Sequence, residues 1–148
     1  MKKTVFALSA LLLSSAAFAK NDLTIENPYA RATPPNATNS AIFMTIKNQS
    51  NDLRTLISAT TPVAKTVELH TVIEVDGMMK MREVNAIELP KNEDTILKPG
   101  GLHIMLFGLT QPLKEEEFIN VTLNFKNGDK EQFKAPIKKV ISGMKHKM

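Results

Sequence analysis

The sequence predicts an all-β chain folded as an antiparallel sandwich or barrel. Two observations carry that reading. Short segments rich in β-branched residues recur along the chain, separated by turn signals roughly every 8–12 residues. No segment holds a convincing long apolar period of 3.6 residues. At 148 residues the chain is about one domain's worth, and neither an internal repeat nor a linker divides it.

The first element is a targeting segment. Lys2 and Lys3 precede an apolar stretch from Thr4 to Ala16 centred on Leu11, Leu12 and Leu13, and Ala17-Phe18-Ala19 is a small-x-small site before Lys20. This is the pattern of a secretory signal peptide spanning 1–19, cleaved after Ala19. The apolar stretch is shorter than the ~18–20 residues a membrane span needs and is interrupted by Ser9, Ser14 and Ser15. No cysteine follows the site, which argues against a lipoprotein anchor. Loss of Lys2 and Lys3 takes the formal charge from +4 to +2, so the exported chain is barely basic.

The strands follow in order. Asp22 to Glu26 alternates and is a first strand, whereas Tyr29 to Asn39, with Pro34, Pro35 and Asn36, reads as a loop. Ala41 to Lys47 and Arg54 to Ala59 are strands flanking a polar turn. Val63 to Val75 is a long strand, Asp76-Gly77 a strong hairpin turn, and Met79 to Val84 the return. Ile87 to Leu89, Thr95 to Leu97 and Leu102 to Phe107 are short, punctuated by Pro90 and Pro99-Gly100-Gly101. Phe118 to Phe125 alternates, Asn127-Gly128 marks a second hairpin, and Glu131 to Ile137 returns from it. Glu115, Glu116 and Glu117 sit in a charged turn with no acid–base role. The domain is placed at 20–141 and a flexible tail at 142–148.

Composition excludes several chemistries. There is no cysteine, hence no disulfide framework, thiolate metal site, iron–sulfur cluster, cysteine nucleophile or blue-copper centre. With no tryptophan, one tyrosine and no clustered basic face, nucleic acid is not a predicted partner. Hydrolase signatures of the G-x-S-x-G and H-E-x-x-H types are missing. An oxidative copper enzyme built on an N-terminal histidine is disfavoured, because the expected mature N-terminus is Lys20.

What remains is methionine and histidine: eight Met and three His. His103 and Met105 lie two apart on a strand and share a face. If Asp76-Gly77 is a two-residue loop, Val75 opposes Met78, Val72 opposes Met81 and His70 opposes Glu83. His70 and Met81 are then diagonal neighbours on one face, ~7–8 Å apart at the backbone. One extra loop residue would turn Met81 to the other face. Two imidazoles and two thioethers form a soft, neutral ligand set, which selects Cu(I) over Zn²⁺, Mg²⁺ or Ca²⁺. The competing reading makes the methionines core filler, as expected for Met44, and the histidines incidental surface residues.

From His70 to Met105 the sequence resembles the periplasmic copper chaperone family PCuAC. That family's pattern is a histidine, ten residues, a methionine, twenty-one residues, then H-x-M. Here His70 and Met81 enclose ten residues, Met81 and His103 enclose twenty-one, and His103-Ile104-Met105 completes the pattern. The run Pro99-Gly100-Gly101-Leu102-His103-Ile104-Met105-Leu106 is also similar to the family's approach to its last ligands. The resemblance implies a cupredoxin-like Greek-key β-sandwich that binds Cu(I) through His70, Met81, His103 and Met105. Some members carry a tail that binds a second copper as Cu(II); here Met144, His146 and Met148 are the only candidates, and a frayed end is the simpler reading.

The resemblance further implies a non-enzymatic periplasmic carrier; the signal-peptide reading leaves no membrane span in the mature chain, which is expected to be a monomer. Its partners would be copper-donating or copper-accepting proteins, in cytochrome c oxidase assembly or copper homeostasis. The competing function is an exported β-sandwich interaction module with no metal role.

Overall fold

The computed structural model describes residues 22–139, so the expected signal peptide at 1–19 and the tail candidates Met144, His146 and Met148 lie outside the described residues. Among the described residues ten strands follow one another: β1 (Leu23–Arg31), β2 (Asn39–Asn48), β3 (Arg54–Thr60), β4 (Ala64–Val75), β5 (Met78–Glu83), β6 (Ile87–Leu89), β7 (Glu93–Leu97), β8 (His103–Leu109), β9 (Phe118–Phe125) and β10 (Lys130–Lys138). Among the described residues no helix is long and apolar enough to cross a membrane.

The strands form two layers. One runs β5-β4-β8-β2-β1, with β7 beside the far half of β2; the other runs β10-β9-β3-β6. A short parallel contact, Ala30 with Ile137 and Arg31 with Lys138, joins β1 to β10 and carries the hydrogen bonding from one layer into the other. All other pairings are antiparallel.

Alternation decides which residues fill the core. Ile42, Met44 and Ile46 of β2, Leu69 of β4, Ile104 and Leu106 of β8, and Ile119, Val121, Leu123 and Phe125 of β9 are all buried in one cluster. Met44 is core filler, as its apolar strand suggested. The intervening residues of β4 and β8 face away from that core, and they include every histidine of the described chain.

The expected loop at Tyr29–Asn39 needs correction. The first strand continues to Arg31, and only 32–38 separate it from β2. The register shifts between Glu26 and Tyr29, where Asn27 has φ 49°. That bulge re-aims the chain past Pro28, so the alternation restarts and Tyr29 pairs with Phe43. Hairpin chemistry was the more legible part. Asp76 (φ 51°) and Gly77 (φ 76°) are both left-handed, as a two-residue type I′ turn demands. At Asn127-Gly128 only Gly128 is left-handed (φ 93°), and its N–H bonds the Phe125 carbonyl, giving a longer loop.

Candidate metal centre

Strand β8 lies between β4 and β2 and brings the two halves of the candidate site together. Leu69 pairs with Ile104 in the core, so the next residues, His70 and His103, pair directly on the outer face. Their ring centroids are 5.5 Å apart. Glu68 pairs with Met105 one step along the same face. Across β4, Val72 opposes Met81 and His70 opposes Glu83, the register that a two-residue turn sets.

Although they face away from the core, His70 and His103 are only 8% and 3% exposed. Phe43 and Phe107 flank them, at centroid distances of 6.3 Å from His103 and 5.8 Å from His70. A cleft of about 440 Å³ opens beside His103, and Met79, Met81 and Met105 line it with Phe43 and Arg31. A larger depression of about 670 Å³ on the opposite layer is lined by Thr60, Asn120, Gln132 and Lys134 among others, and no imidazole or thioether reaches it.

Each imidazole is held by one nitrogen and unpartnered at the other. His103 Nδ1 lies 2.9 Å from the Gly101 carbonyl. A carbonyl only accepts, so Nδ1 carries the proton and Nε2 the lone pair. His70 Nε2 lies 2.7 Å from Glu68 Oε2, so the proton faces that carboxylate and the lone pair is on Nδ1. Both lone-pair nitrogens, His70 Nδ1 and His103 Nε2, are buried and have no hydrogen-bond partner among the described residues. Buried polar atoms are almost always paired, so two such orphans on adjacent rings are positioned to receive a metal ion or a water. Holding the far nitrogen by a carboxylate or carbonyl is the arrangement that orients a metal-binding histidine.

The local sequence explains the Gly101 contact. Pro99 and Gly100 form the corner of a turn closed by the Gly101 N–H to the Lys98 carbonyl at 3.0 Å. Gly100 has φ 85°, which a glycine adopts without the penalty of a Cβ. The Lys98 N–H bonds the Leu102 carbonyl at 2.9 Å, and this leaves the Gly101 carbonyl free to meet His103.

The surroundings of His103 favour its neutral form. Burial pushes its pKa below the ordinary 6.5, and the nearby charges of His70 and Arg31 act in the same direction; the Gly101 carbonyl opposes them in part. Among the described residues no three His, Asp, Glu or Cys side chains gather as a metal cluster. The side chains lining the cleft beside His103 include the thioethers of Met79, Met81 and Met105.

All four sequence-predicted residues thus sit on one face of one sheet, with His70 and His103 in contact and Met81 and Met105 lining the cleft beside them. Glu68 and the Gly101 carbonyl were not singled out from the sequence. The signal was present for both: each lies two residues before its histidine.

Comparison with known proteins places this arrangement in a family. Residues 23–137 match the family described as "Putative lipoprotein LpqE-like". The protein Lxx21020 of Leifsonia xyli subsp. xyli, whose name carries the same lipoprotein description, is 33% identical over 100 residues. That match covers 67% of this chain, and the chain spans about 60% of the relative's length. The solution structure of CuI-DR1885 from Deinococcus radiodurans is 33% identical, with a TM-score of 0.66 over 82% of this chain and 83% of that one. The copper-bound PCuAC domain from PmoF2 shares the fold at 21% identity, with a TM-score of 0.69 over 83% of this chain and 97% of that one. The chain belongs to the LpqE-like family and has the PCuAC fold, the cupredoxin-like sandwich that the sequence resemblance implied.

Proposed function

We propose that this member of the LpqE-like family is a periplasmic copper chaperone, holding Cu(I) with His70, Met81, His103 and Met105 and passing it to acceptor proteins. One observation carries the reading: the buried, unpartnered lone pairs of His70 Nδ1 and His103 Nε2 on adjacent rings beside a methionine-lined cleft. The similarity to a Cu(I)-bound protein at 33% identity supports the choice of ion.

The chemistry follows from the donors. Thioether sulfur is soft and uncharged and selects Cu(I). Imidazole supplies stronger donors whose orientation Glu68 and Gly101 fix in advance. Met81, at 59% exposure, is the ligand most open to solvent, and the two histidines are the most enclosed. The protein therefore releases its cargo by ligand exchange from the methionine side, with no reaction on a substrate. The acceptors are exported copper proteins, in cytochrome c oxidase copper-centre assembly or in copper homeostasis. Export is by the leader at 1–19, removed after Ala19.

Titration tests the reading. Anaerobic competition with a chromophoric Cu(I) chelator should show one tight site, and calorimetry should show far weaker Zn²⁺ binding, because zinc gains little from thioether sulfur. Comparable affinity for the two ions would refute the proposal. No affinity for either would favour an interaction module that uses its exposed methionines as an adaptable surface.

A further inference from the structure

Strand β5 carries three methionines in six residues, and all three are exposed: Met78 63%, Met79 64% and Met81 59%. At such exposure a methionine contributes little burial to folding. Packing therefore gives no account of them, and the four-residue copper pattern uses only Met81.

Alternation sorts the three. Met79 opposes Glu74 and Met81 opposes Val72, so both project on the face of β4 that carries His70. Met79 lines the cleft together with Met81, His103 and Met105. Met78, equally exposed, projects to the other face and is not part of the cleft lining. Met79 lies closer to the Asp76-Gly77 turn than Met81, further from the paired histidines along the hairpin.

We propose that Met79 and Met81 form an outer thioether station for Cu(I) at the open side of the cleft, through which the ion passes between the inner ligands and a soft donor outside. This rests on the copper reading above. In the exchange step one Cu–S bond to Met79 forms as one Cu–N bond to an inner imidazole breaks. Copper stays Cu(I), and the released imidazole stays neutral. A thioether does not titrate, so the new bond displaces no proton. Such a station lowers the barrier for loading and release alike and leaves the equilibrium affinity nearly unchanged.

Stopped-flow mixing of the Cu(I)-loaded protein with an excess of a chromophoric Cu(I) chelator tests this, with Met78→Leu as the control of matched exposure. Met79→Leu should slow both release and loading about tenfold, with Kd within roughly twofold of wild type. Met78→Leu should exchange at the wild-type rate. Wild-type rates in Met79→Leu would overturn the proposal, as would equal slowing in Met78→Leu. A Kd weakened more than about tenfold in Met79→Leu would also overturn it, because Met79 would then be a resting ligand. A wild-type protein that binds no Cu(I) would instead overturn the chaperone reading, so the two failures are distinguishable.

Discussion

Replacing Glu68 with alanine should weaken Cu(I) binding although Glu68 is not itself a ligand. Its carboxylate holds His70 Nε2 at 2.7 Å, in a pair whose side chains are 29% and 11% exposed. A short, charge-assisted bond in this partly enclosed place fixes both the tautomer and the ring rotation. Without it, the His70 ring can rotate or carry its proton on Nδ1, and restoring the ligand form costs free energy. Loss of such an outer partner usually costs 10–100-fold in metal affinity, or about 1.4–2.7 kcal/mol. Glu68→Gln keeps an acceptor oxygen and should fall near the lower end of that range. The assay is competition with a chromophoric Cu(I) chelator at neutral pH, with circular dichroism to establish that the fold is intact. Nitrogen-15 spectra of the apo protein add a second readout: the Nε2–H form of His70 should dominate in the wild type and become mixed in Glu68→Ala. Unchanged affinity and an unchanged tautomer in a folded Glu68→Ala protein would refute the reasoning.

Further outcomes follow from the same geometry. Met81→Leu and Met105→Leu should each lose Cu(I) affinity sharply while costing under ~1.5 kcal/mol of stability, since the swap nearly conserves volume; chelator competition and denaturant melts measure the two effects. Cu(I) affinity should fall as pH drops, because imidazole binds metal only when neutral; the slope should approach two protons per copper at low pH and one in His103→Ala. Stability of the apo protein should fall in the same direction. The lowered pKa of His103 means that the unfolded chain binds more protons below about pH 6.5, so stability rises with pH up to that point and is lost as pH falls towards the folded pKa; thermal melts between about pH 5 and 8 check the sign.

The parts of this architecture governed by local chemistry were legible in the sequence. Asp76-Gly77 fixed a two-residue turn, which fixed the Val72–Met81 register and therefore the face on which Met81 stands. Alternation alone put His103 and Met105 together. The direct pairing of His70 with His103 was not legible, because β4 meets β8 through a long-range choice of strand partner that no local pattern encodes. The bulge at Asn27 was hidden for a related reason. Its left-handed backbone and the following Pro28 look like a strand end, and only pairing with β2 and β10 carries the chain on to Arg31. Glu68 was readable in principle, since E-x-H on a strand puts the carboxylate on the histidine's face, but its short contact depends on side-chain rotation as well as spacing.

The identity of the copper donors is open to direct counting by X-ray absorption on the Cu(I)-loaded chain. Two nitrogen and two sulfur scatterers are expected around copper, with one sulfur lost in Met81→Leu and one in Met105→Leu. A copper shell of nitrogen and oxygen without sulfur would contradict it.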